Sequence, residues 1–236
     1  MNVEEIKEQA IEYAKRNKLR IAWELTSKDI YKPSSIPISI FMAGSPGAGK
    51  TEFSKNLIKD LIKIRQSMQV IRIDNDEIRN LIPGYAGNNS HLFQGATSLI
   101  VEKMHDLALH NNQNFIFDST FANYEKACDN IRRSLSKKRP VFIFYIYQDP
   151  EVAWKFTIAR EKAEGRRIPR TAFIEEFINA RETVNKIRIK FSENVSIFLV
   201  KKNFETNAVD DFIKIGGSID EYIEKKYTRE TLEKIL

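Results

Sequence analysis

Gly44-Ser45-Pro46-Gly47-Ala48-Gly49-Lys50-Thr51 satisfies the pattern G-x-x-x-x-G-K-[ST] in full, and it stands between an apolar run and a helix-length segment. The glycines let the backbone curl so that successive N–H groups point inward at an anion. The helix that follows presents its positive N-terminal end to the same charge. In this arrangement Lys50 reaches the β- and γ-phosphates of ATP as a point charge, while the Thr51 hydroxyl ligates Mg²⁺. Gly44, Ser45, Pro46, Gly47, Ala48, Gly49, Lys50 and Thr51 are therefore the expected nucleotide-binding residues.

Outward from this loop, five apolar runs recur: Ile38 to Ala43, Val70 to Ile73, Phe115 to Phe117, Val141 to Tyr147 and Val195 to Val200. Each is rich in β-branched or aromatic residues and lacks clean alternation, as expected of strands covered on both faces. Helix-length segments lie between them, near Thr51 to Arg65, Leu92 to His110, Asn123 to Ser136, Glu151 to Ala163 and Arg170 to Phe191. Strand alternating with helix requires right-handed crossovers, so the expected fold is a three-layer α/β architecture with a mainly parallel sheet of about five strands. Residues 3 to 17 read as a charged amphipathic helix, and Lys32-Pro33-Ser34-Ser35-Ile36-Pro37 breaks the pattern. The expected organisation is an N-terminal helical extension over 1–35, a nucleotide-binding domain over 36–203 and a C-terminal helical segment over 204–236. In that last segment Ser218-Ile219-Asp220-Glu221 has capping-box spacing.

The 236 residues are 42% hydrophobic and 30% charged, a balance that excludes disordered and collagen-like chains. No apolar run approaches the ~20 residues that cross a bilayer, and the N-terminus lacks the pattern of a secretory signal. A lone cysteine, Cys128, forms no intrachain disulfide, which fits a reducing compartment, and the cytoplasm is the expected location. The net charge of +6 favours a phosphate-bearing ligand. Most of the basic charge, densest at Ser136-Lys137-Lys138-Arg139, reads as solvated helix face. No basic stretch interleaved with aromatics appears, so a nucleic-acid partner is not expected. His91, His105 and His110 form no metal-ligand grouping with Cys128.

In sheets of this kind chemistry sits beyond the carboxyl ends of the strands. The second run ends in Asp74-Asn75-Asp76, where a carboxylate either caps the following helix or accepts a proton from an attacking hydroxyl. The third ends in Asp118-Ser119-Thr120, where the acid binds Mg²⁺, orients a polar substrate or shapes a turn. Arg160 and the basic loop Gly165-Arg166-Arg167-Ile168-Pro169 lie between two helices, the layout of a lid that brings arginines to a transferring phosphoryl group. The helix from Leu92 sets Ala96, Leu99, Ile100, Lys103, Met104 and Leu107 near one stripe, leaving Ser98, Glu102 and His105 opposite, facing water or the cleft. A guanine-selecting Asn-Lys-x-Asp is missing, since Asn185-Lys186-Ile187-Arg188 lacks the Asp, and the GTPase reading is set aside.

From about Ile36 to Val200 the chain resembles the zeta toxin family of P-loop kinases. The likeness lies in the loop at 44 to 51, Ile-Asp-Asn-Asp-Glu-Ile-Arg at 73 to 79 followed by Pro83, Ile-Phe-Asp-Ser-Thr at 116 to 120, and the Arg-rich lid ending Ile168-Pro169. The resemblance implies a P-loop kinase fold and an ATP- and Mg²⁺-dependent kinase that phosphorylates a hydroxyl of a UDP-sugar such as UDP-N-acetylglucosamine. It also implies toxicity and a neutralising antitoxin. By matching positions it implies Lys50 on the ATP phosphates and Asp76 as the base, with Glu102 and Thr120 at the substrate and Arg160 and Arg166 on the transferring phosphate. Asp118 takes the place of the family's Glu, and Ala122 stands where the family has a substrate-contacting arginine.

Two other readings stand beside it. A nucleoside, an antibiotic or a polynucleotide 5′-hydroxyl is an acceptor of the same chemistry. A catalytically silent ATP-binding module acting through a protein partner belongs to another class, against which the intact Lys50, Thr51, Asp76 and Arg160 argue. The N-terminal helix is either a packing element or a modulator of the site.

Overall fold

A computed structural model supplies the tertiary arrangement and describes residues 2–66, 68–203 and 209–236. In chain order the elements are α1 (Val3–Leu25), β1 (Ser39–Ala43), α2 (Lys50–Ile64), β2 (Val70–Asp74), α3 (Asn75–Arg79) and α4 (Gln94–His110). There follow β3 (Asn114–Asp118), α5 (Tyr124–Ser136), β4 (Val141–Tyr147), α6 (Pro150–Glu164), α7 (Arg170–Phe191), β5 (Ser196–Lys202), β6 (Val209–Lys214) and α8 (Arg229–Ile235).

The described residues form one six-stranded sheet in the order β2-β3-β1-β4-β5-β6. The first five strands run parallel, and β6 pairs antiparallel with β5. β1 therefore has β3 on one side and β4 on the other, and the chain leaves β1 toward β2 before returning through β3. That reversal opens a crevice at the carboxyl end of β1, where the phosphate loop begins.

Residue alternation splits the sheet between two cores. Phe41, Ile73, Phe115, Ile143 and Leu199 point into the larger one with residues of α1, α4, α5 and α7, while Ile40, Met42, Ile116, Phe144 and Val200 point toward α2. On α2, Phe53, Leu57, Ile58 and Leu61 form a stripe at helical spacing against that second face. The result is the expected three-layer fold.

The N-terminal helix runs eight residues beyond the sequence reading, to Leu25. Asn2 and Glu5 close a capping box at its start, with Asn2 Oδ1 accepting from the Glu5 N–H at 2.8 Å. Ala10, Ala14, Ile21 and Ala22 are buried in the larger core, and the small side chains let α1 lie close against α4. Gln113, just before β3, donates to the carbonyls of Thr26 (2.7 Å) and Tyr31 (2.6 Å) and ties the extension to the sheet.

Three expectations are corrected. The segment from residue 204 was expected to be helical, but β6 occupies Val209–Lys214; the boundary at 203/204 borders residues 204–208, which lie outside the described residues. β6 is a largely exposed edge strand, half of it charged, and it is held by its backbone pairing with β5 and by Phe212 stacked on Phe198 at 5.2 Å. The capping box at Ser218 does form but opens only a short 3₁₀ turn, Ile219–Glu221, and α8 has its own cap at Thr228. Arg139, in the densest basic cluster, is buried. It donates to Ser39 Oγ (2.8 Å), the Ile38 carbonyl (2.8 Å) and the Gln113 carbonyl (2.5 Å), satisfying backbone at the entry ends of β1 and β3.

His105 departs furthest from the stripe reading. α4 is covered by the sheet on one side and by α1 on another, so its buried arc is wide enough to include His105 along with Met104 and Ala108. The imidazole is 1% exposed and packs edge-on against Phe115 and Phe117 at centroid distances of 4.9 and 5.4 Å. Among the described residues neither ring nitrogen has a partner of good hydrogen-bond geometry, although the Asn130 side chain acts on the ring and opposes part of the lowering of its pKa.

Burial, helped by Arg133 and Arg139, pushes the His105 pKa down to about 3, whereas the unfolded chain takes up this proton near pH 6.5. The contribution is therefore intact above pH 6.5 and is lost as pH falls from there toward 3. Urea unfolding at pH 7.5 and pH 5 is expected to show a loss of about 2 kcal/mol from this group, and His105→Leu is expected to flatten that slope. An unchanged slope in the variant would assign the acid sensitivity elsewhere.

Candidate functional site

The loop from Gly44 to Lys50 joins the buried β1 to the N-terminus of α2. Gly47 has φ +71°, and a Cβ built there would lie 2.0 Å from the Ala153 carbonyl oxygen and 2.7 Å from Thr157 Oγ1. α6 thus presses on the loop so closely that only glycine fits. Gly49 is the N-cap of α2 and brings no capping side chain, which leaves the first N–H groups of that helix open to an anion. Ser45 and Ala48 are buried beneath the loop, and the Gly44 N–H donates to the Thr120 carbonyl at 3.1 Å, fastening the loop to the end of β3.

Lys50 Nζ donates to the carbonyls of Gly44 (2.9 Å) and Ser45 (2.7 Å), folding the side chain over the loop. Burial lowers its pKa, while the carboxylates of Asp118 and Glu176 oppose that shift. Glu176, on α7, is itself pushed up by burial against the pull of Lys50 and Arg166.

The parallel register sets Asp74 directly beside Asp118. Asp74 Oδ1 caps α3 by accepting the Asp76 N–H at 2.7 Å, the structural role its position suggested. Burial and the neighbouring Asp118 raise the Asp74 carboxyl to about 6. Arg72 lies between the pair and donates to both.

Asp76 stands one residue into α3 and is gripped by guanidinium groups on both oxygens. Oδ1 accepts from Arg79 Nη1 at 2.9 Å, and Oδ2 accepts from Arg160 Nη2 at 3.1 Å and from Arg166 Nη1. Arg79 is buried, lies over the Tyr85 ring and also donates to Gln94 Oε1 at 3.0 Å. Of the two neighbouring lid arginines, Arg166 meets Asp76, while the Arg167 side chain is 76% exposed and faces Glu161.

These groups share a cavity of about 640 Å³. Pro46, Gly47, Gly49, Lys50 and Thr51 line it from the loop, Asp118 and Thr120 from the tip of β3, and Asp76, Arg160 and Arg166 from the side of α3 and the lid. Thr51 and Asp118 bring hard oxygen donors to the same space beside Lys50, a donor set that fits Mg²⁺. Gly44, Ser45 and Ala48 shape the loop without lining the cavity.

Glu102 is the predicted residue outside the phosphate loop that the cavity does not take in. It is exposed on α4 and does not line the cavity, whereas Gln94, at the start of the same helix, does. The eight-residue step from one to the other amounts to about 12 Å along the helix. Sequence reasoning gave no role to Arg72, Arg79, Gln94 or Glu176. A charged residue inside the apolar run Val70 to Ile73 was the available signal for Arg72, and Arg79 closes a motif already singled out.

The zeta toxin family model matches residues 22–211. Among solved structures, one from the characterization of the PezAT chromosomal toxin-antitoxin system of Streptococcus pneumoniae is 18% identical and covers 94% of this chain and 92% of its own, with a TM-score of 0.68. The complex of AvrRxo1-ORF1 and AvrRxo1-ORF2 with sulphate ions is 14% identical over 95% of this chain and 74% of its own, with a TM-score of 0.59. The same complex with ATP is 14% identical over 92% and 70%, with a TM-score of 0.58. At these identities the likeness is one of fold. No curated protein matches the chain in sequence.

Gly47→Ala adds a methyl where α6 leaves no space, at a φ that costs about 1–3 kcal/mol for a non-glycine residue. ATP affinity measured by calorimetry is expected to fall at least about tenfold while the circular-dichroism spectrum is kept. Binding of wild-type strength would show that the loop does not need this close approach.

Proposed function

The chain belongs to the zeta toxin family, and on that premise we propose that it is an ATP- and Mg²⁺-dependent kinase that transfers the γ-phosphoryl group to a hydroxyl of a small molecule, with a UDP-sugar favoured. The observation that carries this reading is the grip of Arg79, Arg160 and Arg166 on Asp76 across one cavity from Lys50. A carboxylate in contact with one cation from α6 and one from the lid supplies the base and the charge that phosphoryl transfer to a hydroxyl needs.

ATP phosphates entering the loop give Lys50 better acceptors than the carbonyls of Gly44 and Ser45, because a charged oxygen makes the stronger bond. Arg160 and Arg166 exchange Asp76 for the γ-phosphate oxygens in the same way, which releases Asp76 Oδ2. Arg79 keeps hold of Oδ1 and fixes the plane of the carboxylate. Oδ2 then accepts the proton of the acceptor hydroxyl, whose oxygen bonds to the γ-phosphorus as the bond to the β–γ bridging oxygen breaks and ADP departs. Thr51 and Asp118 would hold Mg²⁺, which would supply charge neutralisation during the transfer.

Asn75, Gln94, Ser119 and Thr120 offer polar groups on the acceptor side, which suits a sugar. With Ala122 in place of the family's arginine, the preference for a UDP-sugar rests on the family. A toxin-like role in the cytoplasm and a protein antitoxin are part of the proposal, supported by the family and by the fold's likeness to the PezAT structure. So is the organisation into a helical extension over 1–35, the kinase domain and a C-terminal segment.

Incubation with ATP, Mg²⁺ and separate UDP-sugars, nucleosides and 5′-hydroxyl oligonucleotides is expected to yield a phosphorylated UDP-sugar by mass spectrometry. Asp76→Ala is expected to lower kcat by about 10²–10⁴-fold with ATP affinity kept. Turnover near wild type in that variant would remove Asp76 from the base role, and a product only in the nucleoside or oligonucleotide arm would move the acceptor.

A further inference from the structure

Arg72 sits within β2, and strand alternation puts it, like Asp74, on the α2 side of the sheet. Its side chain is 8% exposed and does not line the cavity. The guanidinium nonetheless donates to two groups that do, Asp74 and Asp118, and to two that stand behind them, Glu77 and Ser54. Nη2 donates to Asp118 Oδ2 at 2.6 Å and to Asp74 Oδ2, Nη1 donates to Glu77 Oε1 at 2.5 Å, and Nε donates to Ser54 Oγ at 3.0 Å. Ser54, fully buried on α2, lies 2.9 Å from the same Asp118 Oδ2.

We propose that Arg72 is the positioning residue that sets Asp118 for its divalent cation, by clamping Oδ2 between β2 and α2 and leaving Oδ1 for the ligand. The inference rests on the kinase reading above, in which Asp118 and Thr51 hold Mg²⁺. Among the described residues no hydrogen bond engages Oδ1, whereas Oδ2 receives donors from two elements. A carboxylate fastened through one oxygen presents the other in a single orientation, and removing such an outer partner typically costs 10–100-fold in metal affinity. The planar fork matters as well as the charge. It spans Asp118, Asp74, Glu77 and Ser54 at once, which the single ammonium of a lysine does not do. Because Arg72 is outside the cavity, it contacts neither nucleotide nor acceptor, and its effect passes through Asp118.

The test uses the full chain with Mn²⁺ as the probe, its affinity read by electron paramagnetic resonance in the presence of a non-hydrolysable ATP analogue. Calorimetry with the same analogue in EDTA reports nucleotide binding without metal. Arg72→Met is expected to weaken Mn²⁺ binding by about 10–100-fold, and Arg72→Lys to restore little of it. Metal-free nucleotide binding should stay within about twofold of wild type in both. If Arg72→Met does not fold, Arg72→Lys and Ser54→Ala, which removes the second donor to Oδ2, carry the same comparison. Wild-type Mn²⁺ affinity in the folded variants overturns the inference and leaves the kinase reading standing, as does an equal loss of metal-free nucleotide binding. A wild-type protein that binds the analogue but no Mn²⁺ overturns both.

Discussion

Two carboxylates cannot be set side by side in a half-dry sheet edge unless something answers their charge. The parallel register of β2 and β3 does set Asp74 beside Asp118, and the phosphate loop after β1 brings Lys50 to the same corner. Most of the site's architecture can be understood as the response. Arg72 is buried between the two acids, Ser54 reaches over from α2, and Asp74 turns its other oxygen to the backbone of α3. Left uncompensated, one of the pair would take up a proton, as the raised pKa of Asp74 already signals.

The same logic governs the neighbouring cluster with the signs reversed. Arg79, Arg160 and Arg166 converge on Asp76, and three cations brought this close need a counter-charge. Asp76 supplies it, just as the carbonyls of Gly44 and Ser45 supply acceptors for Lys50. Partners of this kind are exchanged rather than created when an anion arrives, so the groups are already oriented. Arg79 differs from the other two because it is buried against Tyr85 and Gln94 and has little freedom to leave.

The scaffold behind the site is tied together at several distant points. α6 rests its Ala153 carbonyl against Gly47, so the helix that carries Arg160 also fixes the curl of the loop that holds Lys50. At the opposite end of the strands, Arg139 and Gln113 bind the entry of the sheet to the N-terminal extension. α1 shares the larger core with α4, and its burial there makes it part of the packing whatever further role it has.

Much of the fold was legible because its signals are local. A loop of the form Gly44 to Thr51 encodes its own curl, and five runs of β-branched and aromatic residues announce five parallel strands within a few residues of their observed ends. β6 was missed because its short run, Val209 to Lys214, is half charged, and only its pairing with β5 and the stacking of Phe212 on Phe198 fix it as a strand. His105 was misplaced because a helix covered on two sides buries more than one stripe. In the site, Lys50, Thr51, Asp76, Asp118, Thr120, Arg160 and Arg166 could be named from motifs at strand ends and in the lid, and they do meet in one cavity. Sequence alone thus determined which chemistry-bearing residues the chain holds and the order of the elements that carry them, since both follow from short-range backbone preference and periodicity. Tertiary structure decided that Arg72 clamps Asp118, that Arg166 rather than Arg167 meets Asp76, and that Glu102 stays outside. Those outcomes depend on strand register and helix rotation, which are set by packing between residues far apart in the chain.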